Sequence, residues 1–575
     1  MANISQAKRQ RMLEFLQKIR VEHKDDDSML MALAEIETEL TAKKYGLVWE
    51  QHEETVDVKM RTHVPVFTEV KEREISAIPG ENYNFLLEGD NLHSLRLLEK
   101  THKGKVDIIY IDPPYNTGNK DFMYDDGYID NEDGFRHSKW LSFMFQRLSI
   151  ARNLLADSGV IFLSIDDNEQ ASLKLLCDEV FGEKNFIAIL PRVTKKSGKD
   201  HADGIAKNHD YVLVYTRNRD CALFSGISSS DENYPLQDEF FATRGGYKLN
   251  QTLDYDSLWY NPAMDFEINV DGVSYYPGGD EQLHISRHNG DHKAKDWVWR
   301  WSLEKFKFGL ENGFVVIKKG RGRPRIYTKT YALASISNSR PYTIEYKARE
   351  TKLSSIALVD NKFSNDNAKK EITRVGFDEF GFPKPVSLIS QLIQICQKQN
   401  VILDFFAGSG TTAQAVLELN ALDKKNRKFI LCTNNENGIC ENITYQRIKT
   451  VISGKRVDES IYAESVPANL KYYRTDFVSK DEEDLPEALL KHIAEMIQLE
   501  HGVKLDGKQY IMVLDDDEAD KLALHWEEYS DVKALYVSKN VLFTTEQNTI
   551  FKDVEIHIIP DYYFNFELRE VGESW

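Results

Sequence analysis

Four consecutive residues, Asp112-Pro113-Pro114-Tyr115, offer groups that could act on an amino group. They follow residues 106–111, an apolar run with the β-branched character of a buried strand. Two prolines cannot continue a strand, so they predict a tight turn that holds the Asp112 carboxylate and the Pro113 carbonyl at the strand's carboxyl end. These acceptors could bind the hydrogens of the amino group of an aminopurine or aminopyrimidine and favour a nucleophilic nitrogen, while an aromatic ring stacks on the base. The alternative is an ordinary turn that ends a strand.

A second candidate site lies much later in the chain. The short apolar strand 401–403 is followed by the run from Asp404 to Thr412, DFFAGSGTT, and then by a helix. A strand, a Gly-x-Gly turn and a helix predict a cradle in which glycines allow close approach to a ligand and the helix N-terminus faces it. Glu436 follows the next strand, where an acid could accept both hydroxyls of a ribose. Because no third glycine follows at the pyrophosphate spacing, a nucleoside without phosphates fits better than NAD.

The elements around both candidate sites alternate between strands and helices, which predicts a doubly wound α/β sheet. A strand near Asn82 leads into the turn Gly89-Asp90-Asn91 and a helix, where Asp90 could cap the helix or contact a cofactor. The pattern predicts a helix over 139–159 with Gly159 as its stop signal, and strands over 160–165, 186–190 and 210–215. The α/β pattern resumes at Lys384 with a helix that has Pro385 in its first turn.

The length of 575 residues is too great for one hydrophobic core. The expected divisions are an N-terminal helical hairpin and linker at 1–80, two halves of an α/β domain at 81–215 and 381–465, an inserted mixed α/β domain at 216–380 and a small acidic α/β module at 466–575. Within the first division, residues 49–80 are charged and are expected to form an irregular linker. No run of 18 apolar residues and no signal peptide pattern is visible, so we expect a cytosolic protein without a membrane partner. The five cysteines are expected to be reduced thiols rather than ligands of a metal.

The net charge of −19 would argue against a polyanionic partner if the charge were spread evenly along the chain. It is not spread evenly. Residues 476–575 hold 9 Lys/Arg and 24 Asp/Glu, so 9 − 24 = −15, whereas residues 291–329 hold 11 and 4, so 11 − 4 = +7. The basic segment is interleaved with aromatic residues, which suits phosphate contact and stacking. Its run from Lys318 to Arg325, KKGRGRPR, fits either an extended minor-groove contact or a hairpin loop that touches phosphates only.

The order of the two motifs, Asp-Pro-Pro-Tyr first and Phe-x-Gly-x-Gly second, resembles the β class of amino methyltransferases that use S-adenosylmethionine. The flanking text YGLVWEQHEE, EGDN, IDPPYNTG, GVIFLSIDDNE, DFFAGSGTT and LCTNNENGICENITYQRI is similar to the modification subunit of type III restriction-modification systems. The resemblance covers about residues 40–455 and implies a permuted, Rossmann-like methyltransferase domain with an inserted target recognition domain. It also implies a site-specific DNA methyltransferase that flips its target base.

The resemblance assigns roles to particular residues. It implies that Asp112, Pro113 and Tyr115 hold the target adenine, with Pro114 shaping the turn, and that aspartate rather than serine at the first position favours N6 of adenine over N4 of cytosine. The expected S-adenosylmethionine contacts are Asp90, Lys384, Pro385, Asp404, Phe405, Phe406, Gly408, Ser409, Gly410, Thr411, Thr412 and Glu436. The expected contacts with duplex DNA are Lys195, Lys196, Lys199, Lys318, Lys319, Arg321, Arg323 and Arg325. The loops 116–133 and 194–207 are expected to become ordered on DNA.

The resemblance also implies partners, and two other functions stay open. A homodimer that uses the N-terminal helices, the C-terminal region or both is expected, with a helicase or nuclease restriction subunit as a further partner. No metal is required. The alternatives are methylation of RNA or of protein amides, and a recognition subunit without catalysis that guides a nuclease.

Overall fold

The computed structural model describes residues 4–24, 26–41, 49–50, 52–118, 123–124, 127–128, 133–196, 204–228, 234–318, 324–378, 380–529, 531–560 and 563–572. The chain forms two compact units. The first unit combines Met1–Leu223 with Ser355–Trp575, and the second unit is Phe224–Ser354. The second unit is narrower than the insertion expected at 216–380, because the helix Asn365–Val375 belongs to the first unit.

The strands, in chain order, are β1 His63–Glu69, β2 Ile75–Ser76, β3 Tyr83–Glu88, β4 Val106–Ile111, β5 Met123–Tyr124, β6 Gly127–Tyr128, β7 Leu155–Ile165, β8 Phe186–Val193, β9 His209–Thr216, β10 Ile227–Ser228, β11 Tyr247–Thr252, β12 Asp254–Trp259, β13 Ile268–Val270, β14 Val273–Tyr275, β15 Lys295–Trp299, β16 Val315–Lys318, β17 Arg325–Tyr331, β18 Ala334–Ile336, β19 Ile344–Tyr346, β20 Glu350–Thr351, β21 Val401–Asp404, β22 Lys428–Thr433, β23 Asn469–Ser479, β24 Tyr510–Val513, β25 Ala534–Val537 and β26 Glu555–Ile558.

The α-helices, in chain order, are α1 Ile4–Glu22, α2 Asp27–Thr41, α3 Thr55–Thr62, α4 Asn91–His102, α5 Arg136–Leu154, α6 Gln170–Cys177, α7 Phe241–Arg244, α8 Glu281–His288, α9 Leu303–Glu311, α10 Asn365–Val375, α11 Val386–Gln394, α12 Thr411–Asp423, α13 Tyr445–Ser453, α14 Leu485–Leu490, α15 Ile493–His501, α16 Asp516–Leu524, α17 Thr545–Ile550 and α18 Asn565–Glu570.

The first unit is built on a mixed sheet in the order β1-β23-β3-β22-β21-β4-β7-β9-β8, with β2 also paired to β23. The neighbours from β23 to β7 run parallel, and β1, β9 and β8 pair antiparallel. Every residue of β3 and β4 is buried, as expected for central strands covered on both faces. The sequence therefore predicted an α/β architecture correctly, although the sheet is mixed rather than wholly parallel.

The helix expected to run to Gly159 is shorter than predicted. Helix α5 ends at Leu154, and β7 begins at the next residue and pairs with β4. A Cβ atom on Gly159 would lie 2.8 Å from the Ala156 carbonyl oxygen and 3.0 Å from the Val106 carbonyl oxygen. Gly159 is thus needed for close packing of backbone inside the sheet, and it was wrongly interpreted as a helix stop.

The irregular linker expected over 49–80 is also partly wrong. Helix α3 and strands β1 and β2 lie there, and β1 pairs with β23 along its full length, from His63 with Ser479 to Glu69 with Tyr473. The expected N-terminal helices are present as α1 and α2, which are joined by an ion pair between Arg20 and Glu37 at 2.7 Å. All five cysteines are free thiols in the structure.

The acidic C-terminal residues are folded, as the sequence predicted. Strands β24, β25 and β26 form a parallel three-stranded sheet. Apolar side chains of this sheet pack with those of α16 around Leu522, Leu535 and Phe551. Strand β23 precedes this small sheet and belongs to the central sheet, so the last hundred residues are divided between two sheets.

The second unit contains small antiparallel sheets and short helices. Its largest sheet has the order β11-β17-β16, and β12 pairs with β15. Trp299 and Phe306 lie in one apolar cluster, and Phe314 and Tyr331 lie in another. None of the helices in the described part of either unit has the length and apolar character needed to cross a membrane.

We predict that Gly159→Ala lowers the free energy of unfolding by about 1–3 kcal/mol, because the added methyl group would overpack the β4–β7 backbone. Gly134→Ala is the matched control, since a Cβ there meets nothing within 4 Å. Urea denaturation of both variants measures the difference. Equal stabilities would contradict the close packing at Gly159.

Candidate active site

The two sequence motifs meet because β21 and β4 are hydrogen-bonded parallel neighbours, with Ile402 opposite Ile108 and Leu403 opposite Ile109. The carboxyl ends of parallel neighbours lie at the same edge of a sheet, so Asp112 and Asp404 are brought together. A cavity of about 630 Å³ opens at this edge. Its lining includes Asp90, Asp112, Pro113, Pro114, Lys384, Asp404, Phe405, Phe406, Gly408, Ser409, Thr411, Thr412 and Glu436. Thirteen predicted site residues therefore share one cavity.

Three predicted site residues lie beside the cavity rather than in its lining. Tyr115 packs partly buried against the core, Pro385 directly precedes α11, and Gly410 is the N-cap residue of α12. Pro385 is therefore just outside the helix in which the sequence analysis placed it. Asp90 combines both predicted roles, since its carboxylate caps α4 by accepting from the Leu92 N–H at 2.7 Å and it also lines the cavity.

The turn after β4 is held by buried polar contacts. The indole N–H of Trp140 donates to the Pro114 carbonyl at 2.8 Å. Asn116 has a left-handed backbone with φ of 57°, and its side-chain amide donates to the buried carboxylate of Glu169 at 2.6 Å. These contacts fix the backbone on both sides of Tyr115, which orients the Asp112 and Pro113 groups toward the cavity.

Tyr115 is anchored through a buried ion pair. Its hydroxyl donates to Asp210 at 3.4 Å, and Asp210 is bound by both Nε and Nη2 of Arg192. Arg192 also donates to the Phe363 carbonyl at 2.7 Å. Burial, followed by the charges of Asp112 and Asp210, raises the pKa of Tyr115 well above its ordinary value, so its hydroxyl stays protonated.

The glycine loop has the conformation that the sequence predicted. Gly408 and Gly410 have φ values of 47° and 77°, in the left-handed region that favours glycine. Arg447, which is fully buried, braces the loop by donating to the Ser409 hydroxyl at 3.0 Å and the Thr411 hydroxyl at 2.9 Å. Burial lowers the pKa of this guanidinium to about 10, which leaves it charged at neutral pH.

Asp404 is the most strongly perturbed acid of the cavity. Burial is the main cause that raises its pKa to about 7, and the charge of Asp112 adds to the shift. The Thr412 hydroxyl donates to its carboxylate at 2.5 Å and the Phe406 N–H at 3.0 Å. These bonds tie the end of β21 to the first turn of α12, and they make Asp404 an organiser of the loop.

Glu54, Asn91 and Phe143 also line the cavity and were not predicted. Fully buried Arg147 donates to Glu54 at 2.7 Å and to Asn91 at 2.6 Å, and Asn91 donates to the Phe405 carbonyl at 2.8 Å. The ring of Phe143 packs against that of Phe406 with centroids 5.9 Å apart. The sequence did offer one signal: Arg147 is a charged residue on the apolar face of α5. A charged residue in that position is expected to be buried.

The residues expected to contact DNA are described only in part. Lys195 is half-buried and Lys196 is exposed in the first unit. In the second unit Lys318 is exposed, and Arg325 forms an ion pair with Asp254 at 2.6 Å. Lys199, Lys319, Arg321 and Arg323 lie outside the described residues, as do parts of the loops 116–133 and 194–207.

The arrangement is that of an α/β enzyme whose ligand cavity opens at the carboxyl edge of parallel strands. A family model described as DNA methylase matches residues 106–444. The chain is 32% identical over 401 residues to the type II methyltransferase M.KpnI of Klebsiella pneumoniae, covering 68% of this chain and 90% of that one. The chain belongs to the DNA methylase family.

Two further similarities complete the comparison. The chain is 33% identical over 448 residues to the type III restriction-modification enzyme EcoPI Mod subunit of Escherichia phage P1, covering 71% of this chain and 66% of that one. The chain thus spans slightly less than two thirds of the length of that relative. Among solved structures, the M1.HpyAVI-SAM complex aligns with 64% of this chain and 98% of that one at 11% identity and a TM-score of 0.28.

We predict that Asp404→Asn changes the pH dependence of stability. A carboxyl whose pKa is about 7 in the folded state and ordinary when unfolded binds its proton more tightly when folded. The contribution of Asp404 to wild-type stability should therefore fall as pH rises from about 4 to 7, by up to ~4 kcal/mol, and then level off. The variant has no carboxyl group at this position and does not show this fall. The free energy of unfolding of the variant minus that of the wild type should therefore increase between about pH 4 and pH 7. Urea denaturation at several pH values measures it, and a constant difference would contradict the assignment.

Proposed function

We propose that this protein transfers a methyl group from S-adenosylmethionine to N6 of adenine in duplex DNA, as the modification subunit of a type III restriction-modification system. One observation carries the proposal: the hydrogen-bond acceptors of the Asp112 turn and the glycine loop at Gly408 open into the same cavity. Membership of the DNA methylase family and similarity to a protein named as a type III Mod subunit support the choice of reaction and system.

The cavity residues suit a nucleoside cofactor. Gly408 leaves backbone accessible to a ligand, since a Cβ there would meet only the Phe406 carbonyl oxygen at 3.8 Å. Glu436 follows β22 at the cavity and would bind the ribose hydroxyls, while Asp90 lies at the end of neighbouring β3. Phe406, together with Gly408 and Ser409, would line the methionine and ribose portions of the cofactor. When bound, S-adenosylmethionine supplies a methyl group on a positively charged sulfur.

The residues of the turn prepare the amino group for transfer. Asp112 and the Pro113 carbonyl accept its two hydrogens, which keeps the nitrogen lone pair out of the ring system and available for attack. Bound S-adenosylmethionine would supply the methyl carbon to this nitrogen, and its sulfur would keep the electron pair of the carbon–sulfur bond that is lost. The nitrogen would then lose one proton, which the Asp112 carboxylate would accept and pass on to water. Tyr115 would stack on the flipped base.

The remaining parts of the protein would bind the DNA substrate and the partner subunits. The order of the motifs fits a permuted methyltransferase domain, and the second unit, Phe224–Ser354, would be its target recognition domain. Exposed apolar side chains on α1 and α2, such as Phe15 and Met31, would support a homodimer. The acidic C-terminal residues would dock a restriction subunit. A DNA substrate implies a cytoplasmic protein.

We predict that Asp112→Ala abolishes methyl transfer to duplex DNA, by at least ~10³-fold, because the amino group loses its charged acceptor. Duplex binding should remain, since the phosphate contacts are elsewhere. The measurement is incorporation of labelled methyl groups into duplex DNA, RNA and protein in parallel. Asp458→Asn, which changes an exposed carboxylate outside the cavity lining, is the control.

The outcomes of that experiment separate the candidate functions. Incorporation into RNA or protein but not DNA would contradict the proposed substrate. Wild-type protein that binds duplex DNA but methylates nothing would favour a recognition subunit. A fully active Asp112→Ala variant would remove Asp112 from the mechanism while leaving the reaction itself in place.

A further inference from the structure

Lys384 is presented to the cavity by an unusually constrained backbone. It stands between Pro383 and Pro385, and both proline rings restrict the chain around it to extended conformations. The next residue, Val386, begins α11 and donates its N–H to the Glu371 carboxylate at 2.8 Å. The backbone position of Lys384 is therefore fixed by the two proline rings beside it and by the start of α11.

The Lys384 ammonium contacts both oxygens of the Asp112 carboxylate, with Nζ at 2.6 Å from Oδ1 and 2.5 Å from Oδ2. The side chains are only 10% and 24% exposed. The same Nζ lies 5.0 Å from the centroid of the Tyr115 ring. Lys384 thus touches two residues of the turn that would hold the target base.

The backbone of Lys384 contacts the other half of the site. Its carbonyl accepts a hydrogen bond from the Thr411 hydroxyl at 3.2 Å, at the first residue of α12. Thr411 is held in turn by buried Arg447 at 2.9 Å. One residue therefore links the turn after β4 to the loop after β21.

We infer that Lys384 is a positioning residue for methyl transfer: its ammonium fixes the orientation of the Asp112 carboxylate, and its backbone sets that carboxylate at a constant distance from the cofactor loop. This inference rests on the proposed function. A carboxylate has about four lone-pair sites. Lys384 engages one on each oxygen, so sites remain for the amino hydrogens of the base.

The physical reason for such a link is the sensitivity of transfer to distance. A side chain free to rotate about its χ angles would present its acceptor in several directions, and only one would aim the nitrogen lone pair at the methyl group. Misplacement by about 1 Å can cost on the order of 10²-fold in rate. The rigid Pro383-Lys384-Pro385 segment belongs to the other half of the site, and it restrains the rotation of the Asp112 side chain.

This role differs from the one expected from the sequence, where Lys384 was a contact of the cofactor. A residue that binds the cofactor directly should affect its dissociation constant when removed. A residue that positions Asp112 should affect the rate of transfer at saturating cofactor. The two roles are therefore separable in one experiment.

The experiment compares wild type with Lys384→Met, which keeps the length of the side chain but lacks its charge, and Lys384→Arg, which keeps the charge. Lys174→Met is the matched control, because Lys174 also forms a partly buried ion pair, with Asp178 at 2.6 Å, and lies outside the cavity lining. Single-turnover methylation of duplex DNA at saturating S-adenosylmethionine gives the transfer rate. Calorimetric titration with S-adenosylmethionine alone gives the dissociation constant.

We expect Lys384→Met to slow transfer on the order of 10²-fold while the dissociation constant changes less than about threefold. Lys384→Arg should recover at least a tenth of the wild-type rate, and Lys174→Met should match wild type. A tenfold weaker affinity for S-adenosylmethionine with an unchanged transfer rate would overturn the inference in favour of direct cofactor binding. Unchanged values for both quantities would overturn it as well.

Stability provides a second readout that needs no activity. Lys384→Met should lower the melting temperature more in the wild-type background than in Asp112→Asn, where no carboxylate is left unpaired. Equal shifts in the two backgrounds would contradict the pairing. If Lys384→Met folds poorly, the transfer rate and dissociation constant of Lys384→Arg decide the matter. Wild-type protein that methylates no duplex would contradict the proposed function, whereas active wild type with equally active variants would contradict only the role of Lys384.

Discussion

The parallel pairing of β21 with β4 is the constraint on which the cavity depends. Two strands that are nearly three hundred residues apart in sequence become neighbours, and their carboxyl ends then lie at one edge. The turn that follows β4 and the loop that follows β21 face the same space as a consequence. Any other strand order would leave an acidic turn and a glycine loop without a shared ligand.

Three fully buried arginines make that arrangement rigid. Arg147 braces the wall that contains Asn91, Arg192 braces Asp210 behind Tyr115, and Arg447 braces the glycine loop. Breaking the buried ion pair of Arg147 with Glu54, or that of Arg192 with Asp210, would cost about 3–5 kcal/mol, so both pairs resist rearrangement. The cavity is therefore braced by arginines that lie outside its lining, and Lys384 adds a direct link between its two halves.

The sequence predicted the local parts of the site well because their signals are local. The apolar run of β4 stops at two prolines, and Gly408 and Gly410 occupy the left-handed conformations that only glycine adopts easily. The family resemblance then supplied the pairing of the two motifs. Neither the local sequence signals nor the family resemblance indicated that Lys384 contacts Asp112. An ion pair between residues far apart in the sequence has no characteristic spacing that would predict it.

The failures of prediction have a common physical cause, which is pairing with distant segments. Strand β1 looked like a charged linker, since its partner β23 lies some four hundred residues later. Gly159 resembled a helix stop, yet it is required by contact with the backbone of β4. The buried arginines were missed because their partners, such as Glu54 for Arg147, come from other elements. Tertiary contacts override local propensity at each of these positions.

Photochemical crosslinking tests the central claim most directly, namely that the two strand ends form one site. A cofactor analogue with a photoreactive group in place of the transferable methyl should label both the peptide that contains Asp112-Pro113-Pro114-Tyr115 and the peptide from Asp404 to Thr412. Mass spectrometry of the digested protein identifies the labelled residues. Labelling confined to one of these peptides, or to neither, would contradict the account.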